Sequence, residues 1–176
     1  MNSGPSGLRL RPLRSSDETA VIAGQQALLA GDGFTFALDY QAGMPWDSYL
    51  RLLDRQRRGD RLPAGFVPAT FLGAAADGQL VGRASIRHEL NDHLKAEGGH
   101  IGYAVLPEHR RHGYATEILR QSVIIARSVG VDRVLVICED SNVGSATVIE
   151  RCGGQLDSVD TVGGRPVRRY WIDLCR

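Results

Sequence analysis

The residues best suited to chemistry in this sequence lie in the segment PEHRRHGYATEIL, residues 107–119. An almost entirely apolar run at 100–106 predicts a buried strand before it, and helical apolar spacing follows it. A helix start exposes unpaired N–H groups and the positive end of the helix dipole, so it binds anions without a lysine. Gly113 lacks the Cβ that would keep a phosphate from the backbone, and Arg110 and Arg111 add positive charge. The segment therefore predicts a site for a diphosphate.

Two common nucleotide-binding loops are excluded by the same residues. A Walker loop needs GK[ST] and a Rossmann start needs G-x-G-x-x-G, and the segment contains neither. An isolated R-x-x-G-x-A is more often a plain strand-to-helix turn with solvated arginines. Here a second strand and helix at 133–152 lie where an anion-binding crossover requires them, which favours the diphosphate site.

Hydrophobic periodicity and turn residues predict the elements that position this segment. Period-two or all-apolar runs predict strands, Asp77-Gly78 predicts a hairpin turn, and capping residues and glycines bound the helices. The predicted strands are 8–13, 69–76, 79–90, 100–106, 133–138, 155–162 and 166–174; the predicted helices are one ending near 31, then 45–58, 114–129 and 142–152. The order predicts an α/β fold: a mixed, mostly antiparallel central sheet of about seven strands, flanked by about four helices.

Composition predicts a single cytoplasmic domain over residues 1–176. The chain is 43% hydrophobic and 23% charged, with no internal repeat or obvious domain boundary. Lys plus Arg number 21 against 20 Asp plus Glu, so the net charge of +1 argues against nucleic acid as a partner. Cys138, Cys152 and Cys175 lack CxxC spacing and predict reduced thiols. The start, MNSGPSG, has no signal-peptide pattern, and no run reaches the ~20 apolar residues of a membrane span.

Two stretches together resemble a known family. GHIGYAVLPEHRRHGYATEIL resembles the acyl-CoA-binding motif of the GNAT superfamily of N-acyltransferases, whose R/Q-x-x-G-x-G/A is matched by Arg110, Gly113 and Ala115. EDSNVGSATVIERCGG resembles the second cofactor segment of that family, with Asn142 at the asparagine position and Ser145 at the small-residue position. In element order the resemblance covers essentially the whole chain. It implies a GNAT-like sheet that is splayed where the cofactor binds.

The resemblance also implies acetyl-CoA as co-substrate and assigns residues to it. Backbone N–H groups at the start of the helix would cradle the diphosphate; they belong to Arg110, Arg111, His112, Gly113, Tyr114, Ala115 and Thr116. Val105, on the splayed strand, would pair with the pantetheine amides and polarise the thioester carbonyl with its N–H group. Asn142 and Ser145 would line the pantetheine.

Acetyl transfer to an amine needs the amine uncharged, so a base is expected beside the splayed strand. His100 begins that strand, and its ordinary pKa suits the task; Glu89 ends the neighbouring strand and could act through a water. A histidine at a strand end is more often a structural hydrogen-bonding group, and a glutamate there is usually solvated. Asp39, near Phe34 and Tyr40, is either an ordinary loop aspartate or a contact for a cationic acceptor.

The proton donor for the departing thiolate does not match the family pattern. Family members often use a tyrosine in the second motif helix, where this chain has Ile149. Tyr103 is the substitute, or the thiolate leaves without help. Cys152 as an acyl-carrying nucleophile is a weaker alternative, because small cysteines are common at helix ends. The pairs His109 with His112 and His88 with His93 lack a third ligand, so no metal is expected.

The sequence as a whole predicts an N-acetyltransferase that moves acetyl from acetyl-CoA to a primary amine by direct attack in a ternary complex. The acceptor, a small molecule or a peptide, cannot be read from the sequence, because acceptor walls come from irregular segments such as 31–44 and 91–99. A non-catalytic acyl-CoA-binding module and a nucleotide-binding regulatory domain are the alternatives. Pairing through the last strands, around Tyr170-Trp171-Ile172, would give a homodimer.

Overall fold

The structure, a computed structural model, describes residues 7–174. The start of the chain through Ser6 and the Cys175 thiol lie outside the described residues. Within 7–174 there are seven strands: β1 (Arg9–Arg11), β2 (Ala69–Ala76), β3 (Gln79–Arg87), β4 (Ile101–Val105), β5 (Arg133–Glu139), β6 (Gln155–Val162) and β7 (Arg165–Asp173). There are five α-helices: α1 (Glu18–Asp32), α2 (Trp46–Arg58), α3 (Asp92–Ala96), α4 (Tyr114–Ser128) and α5 (Val143–Arg151).

The predicted α/β fold class is confirmed, with one helix more than expected. The additional helix, α3, lies in the polar stretch NDHLKAEGG, which has no apolar period and was therefore predicted as a loop. Asn91 caps this helix, because its side chain accepts a hydrogen bond from the Leu94 N–H group. A short capped helix of this kind depends on local hydrogen bonds more than on a buried face.

The strands form two antiparallel sheets that meet at one point. The first has the order β1-β2-β3-β4 and the second β5-β7-β6. At the junction, the His100 N–H group donates to the Leu135 carbonyl (2.8 Å), and the Leu135 N–H group donates to Nδ1 of the His100 ring (2.9 Å). Beyond this junction no ladder connects β4 to β5 within residues 7–174. The two strands are therefore splayed, as the family resemblance implies.

Each face of the first sheet carries its own apolar core. Helix α4 covers the face with Ala84 and Ile86, while α1 and α2 cover the opposite face. Gly82 allows close packing on the α4 side, because a Cβ there would lie 2.4 Å from the Ala104 carbonyl oxygen and 3.0 Å from Ile118. Strand β3 is thus buried on both faces, which matters for its polar side chains.

A β-bulge changes which residues of β3 share a face. Simple alternation places Leu80 with Ala84 and Ile86, and Val81 on the other side. The register shifts by one residue between Ala74 and Ala75, so Leu80 packs in the α1–α2 core and Val81 in the α4 core. The extra residue lies in β3, and it reverses the face of the side chains that precede it in this strand.

The last two strands bear on the predicted homodimer. β7 lies between β5 and β6, with Tyr170 and Ile172 buried in the core. The Trp171 ring lies under the Arg133 guanidinium, 4.7 Å from it. Strand β6 is the edge of this sheet, and it exposes Leu156 and Val159. Strand pairing between two copies would therefore use β6; the homodimer itself stays a prediction.

Candidate functional site

The start of α4 presents a series of backbone N–H groups without acceptors. After β4, Pro107–His109 form a 3-10 turn, and the Arg110 N–H group bonds to the Pro107 carbonyl (3.3 Å). Arg111 (φ 67°) and Gly113 (φ 78°) have left-handed backbone conformations, and Gly113 caps the helix. Within the described residues, none of the N–H groups of 111–116 has a hydrogen-bond acceptor. The predicted cradle is therefore available from residue 111 onwards, while the Arg110 amide is used internally.

The side chains of the same segment are held in different ways. The Arg110 guanidinium forms an ion pair with Asp32 at the end of α1, and its Nε lies 3.4 Å from the Val105 carbonyl oxygen. The His112 ring stacks on Tyr114 with 5.8 Å between ring centroids. Arg110 is thus directed towards α1, so its predicted contribution to anion binding is through charge near the cradle.

The backbone of β4 offers hydrogen-bonding groups on the side where β5 diverges. Leu106 donates to the Val81 carbonyl (2.9 Å), and Arg87 donates to the His100 carbonyl (2.7 Å), so the even-numbered residues of β4 bond to β3. In an antiparallel ladder, alternate residues direct their N–H and C=O groups to opposite sides. The N–H groups of Tyr103 and Val105 therefore point towards the gap between β4 and β5.

Helix α5 contributes a polar pair on the far side of this gap. Asn142 caps α5, because its side-chain oxygen accepts the Ser145 N–H group (2.9 Å). The Ser145 hydroxyl lies 2.8 Å from the Tyr103 hydroxyl. Burial raises the pKa of Tyr103, so its hydroxyl keeps its proton at neutral pH. Ile149, at the position where family members often have tyrosine, is fully buried in the α4 core.

His100 and Glu89 lie at the closed end of β4, away from the start of α4. His100 is only 7% exposed, and its Nδ1 lone pair accepts the Leu135 N–H group. Burial, with a smaller effect of the Arg87 charge, lowers the pKa of His100 to about 4. The ring is therefore neutral with its proton on Nε2, and its one basic lone pair is engaged. Glu89 was predicted to end a strand, but β3 ends at Arg87, so Glu89 lies two residues beyond it and is exposed.

The structure thus gathers some of the predicted residues and separates others. The start of α4, Val105, Tyr103 and Ser145 surround the gap between β4 and β5, with Asn142 next to Ser145. His100 holds the two sheets together at the other end of β4. This geometry argues against His100 as a general base and gives it a structural role.

The sequence matches a known domain family over most of its length. The profile of the acetyltransferase (GNAT) domain matches residues 7–155. This chain belongs to the GNAT acetyltransferase family. No curated protein sequence matches it.

Several solved structures share the GNAT fold of this chain. Mycobacterium smegmatis RimJ in complex with CoA-disulfide has a TM-score of 0.70 and 21% identity, covering 95% of this chain and 82% of that one. The putative acetyltransferase yncA from Salmonella typhimurium with its cofactor acetyl-CoA has a TM-score of 0.64 and 17% identity, covering 97% and 95%. Spermidine N-acetyltransferase from Vibrio cholerae in complex with CoA and spermine has a TM-score of 0.66 and 14% identity, covering 96% of each.

Two arginines of this GNAT domain, the buried Arg83 and the half-buried Arg87, were not predicted as site residues. Arg83 and Arg87 lie on the face of β3 that α1, α2 and residues 33–45 cover. The sequence signal is the alternation Arg-x-Ser-x-Arg in a strand next to the predicted cofactor strand. Such alternation usually marks a solvated face, and only the covering helices show that this face is buried.

Within 7–174, no three His, Cys, Asp or Glu side chains form a group that could hold a metal ion. Over the same residues, no α-helix combines the length and the apolar character that crossing a bilayer requires.

Proposed function

We propose that this GNAT protein transfers the acetyl group of acetyl-CoA to a primary amine by direct attack in a ternary complex. The observation that carries the proposal is the series of N–H groups at 111–116 without acceptors, at the positive end of a 15-residue helix and next to the gap between β4 and β5. Paired phosphoryl groups satisfy such donors and complement the helix dipole. Thr116 would add a hydroxyl, and Arg111 would add charge.

The pantetheine arm would lie in the gap between β4 and β5. Its amides would pair with the N–H and C=O groups that β4 directs towards β5, as an added strand does. The Val105 N–H group would polarise the thioester carbonyl, and a fixed donor of this kind lowers the barrier by about 3 kcal/mol. Asn142 and Ser145 would form the opposite wall.

Tyr103 is the proposed proton donor to the departing thiolate. As the amine nitrogen bonds to the carbonyl carbon, the C–S bond breaks and the sulfur needs a proton. The Tyr103 hydroxyl borders the gap, keeps its proton because its pKa is raised, and is oriented by Ser145 at 2.8 Å. It would supply the proton that the family's usual tyrosine supplies from the position of Ile149.

The amine must lose a proton before or during attack. A lysine-like amine near pH 7 is neutral about one time in a thousand, a deficit of about 4 kcal/mol. Glu89 is exposed beyond the end of β3, at the other end of β4 from Val105, so it would accept the proton through a chain of waters. His100 would act as a positioning residue that fixes where β4 and β5 separate.

A non-catalytic acyl-CoA binder is the second candidate, and the apolar Ile149 favours it. The test has two measurements on the same protein: calorimetric binding of acetyl-CoA, and steady-state release of free CoA across a panel of amines. The proposed enzyme binds acetyl-CoA and releases CoA with at least one amine above the hydrolytic background. A binder gives heat of binding and no release, which would overturn the proposed activity.

A nucleotide-binding regulatory domain is tested by thermal denaturation. CoA at one hundred times its dissociation constant should stabilise the fold by about 2.7 kcal/mol and raise the melting temperature. ATP at the same concentration should shift it much less, because ATP has no pantetheine arm to occupy the gap between β4 and β5. A larger shift with ATP than with CoA would favour the regulatory domain.

A further inference from the structure

Arg83 carries hydrogen-bond donors that the described part of the chain does not satisfy. The residue is only 2% exposed, and its Nη2 donates to the Thr35 carbonyl oxygen at 2.9 Å. Its Nε and Nη1 have no partner within 7–174. Burial lowers the pKa of Arg83 to about 9, with a further lowering from the charge of Arg87. A buried cation with unpaired donors is strongly unfavourable unless an anion accompanies it.

Arg87 places a second positive charge on the same face of β3. Its Nη1 lies 3.3 Å from the Gly98 carbonyl oxygen. Among the described residues, neither arginine has a carboxylate within the 4.0 Å of an ion pair. Asp39 is near enough to counter part of the effect of burial on the pKa of Arg87. The Asp39 carboxylate is nevertheless exposed and accepts a hydrogen bond from Gln56 (2.8 Å).

Because Gly102 has no side chain, none lies between β4 and the guanidinium groups of Arg83 and Arg87. A Cβ placed on Gly102 would lie 3.3 Å from Nη1 of Arg87 and 3.5 Å from Nη1 of Arg83. Both donors therefore converge on one point above β4. Successive residues of a strand face opposite sides of the sheet, so Gly102 faces the side of β4 opposite to the Tyr103 side chain. The convergence point thus lies beside the strand proposed to hold the thioester, on the side of α1 and α2.

We propose that Arg83 and Arg87 together bind a carboxylate of the acetyl acceptor, so that the acceptor is an amine bearing a carboxylate group. The inference rests on the proposed function, and it specifies the substrate class of that site. Guanidinium groups match carboxylate geometry and donate to it in pairs. A carboxylate above Gly102 would satisfy Nη1 of both arginines.

The surroundings of Arg83 and Arg87 favour an anion over a polyamine as the bound group. The Phe34 ring covers the Arg83 guanidinium at 5.1 Å, and Nη1 of Arg83 is itself buried, so an anion reaches it when Phe34, which is 42% exposed, moves aside. A polyamine would place its second ammonium group against two guanidinium charges at low dielectric, where like charges repel strongly. The same charges would draw the acceptor's carboxylate in, leaving its amine to face the thioester.

The test uses matched ligands that differ only in one charge. N-acetylglycine is compared with N-acetylglycinamide, and the acetylated, C-terminally amidated dipeptides Gly-Asp and Gly-Asn are compared with each other. Binding to the CoA-loaded protein is measured by calorimetry, so the result does not depend on turnover. The first pair represents a free amino acid as the source of the carboxylate, and the second an acidic side chain in a peptide. The corresponding unacetylated amines and spermidine are then assayed for CoA release.

In at least one pair, the carboxylate ligand should bind roughly 10- to 100-fold more tightly than its amide. Arg83→Met and Gly102→Ala should each remove this preference, the first by deleting the charge and the second by filling the space in front of both charges. Arg127→Met removes an exposed charge near the end of α4 and should leave the preference unchanged. Gly102→Ala keeps both arginines, so it remains informative if Arg83→Met does not fold. All variants should bind CoA like the wild type.

Two results would overturn the inference while leaving the acetyltransferase proposal intact. One is normal CoA binding with affinities within threefold in both ligand pairs. The other is a CoA release rate with spermidine that exceeds the rate with every carboxylate amine. A wild-type protein that does not bind CoA at all would instead refute the proposed function itself.

Discussion

Lowering the pH should weaken the junction of the two sheets through His100. Its folded-state pKa is about 4, against an ordinary value of about 6.5 in the unfolded chain. Above pH 6.5 the ring is neutral in both states, and its contribution to stability is fully present. Between pH 6.5 and 4 only the unfolded chain takes up the proton, so stability falls as the pH falls. The loss is about 2 kcal/mol at pH 5 and about 3 kcal/mol below pH 4.

The measurement is urea denaturation at pH 7.5 and at pH 5, with unfolding monitored by tryptophan fluorescence. In His100→Asn, the amide oxygen can accept the Leu135 N–H group but cannot titrate. The fall in unfolding free energy between the two pH values should therefore be about 2 kcal/mol smaller in the variant than in the wild type. His93→Asn removes an exposed histidine and should behave like the wild type. An equal fall in His100→Asn and wild type would refute the structural role given to His100.

Three further substitutions test the junction, the acid and the cradle. Gly99→Ala places a Cβ 2.5 Å from the Leu135 carbonyl oxygen at φ 62°, and should destabilise the fold by about 2–4 kcal/mol in urea. Gly163→Ala, with φ 56° and no atom within 4 Å, measures the backbone strain alone, and an equal loss in both would contradict the clash. Tyr103→Phe should lower kcat about 10- to 100-fold with unchanged acetyl-CoA affinity, whereas an unchanged kcat would mean that the thiolate leaves without this acid. Gly113→Ala, at φ 78°, should weaken CoA binding about 5- to 30-fold by calorimetry, and unaltered binding would argue against the cradle at this helix start.

The strands and long helices could be predicted because the sequence patterns that specify them are local. Apolar periodicity, the Asp77-Gly78 turn and the glycines after helices predicted every strand and the four long helices nearly to their ends. The exception was α3, which has no apolar face to give a period. The segment at 107–119 could be recognised for the same reason, since the chemistry of a helix start depends on consecutive residues.

The sequence by itself determined the family, the order of the elements and the helix start that we propose binds the diphosphate. Only the tertiary structure decided the surroundings of His100, Arg83 and Arg87. His100 depends on the Leu135 amide, and Arg83 depends on the Thr35 carbonyl and on the helices that cover β3, all of them distant in the chain. Burial and hydrogen bonding with such distant partners set the pKa and the accessibility of a polar group, and neither can be read from its neighbours in sequence.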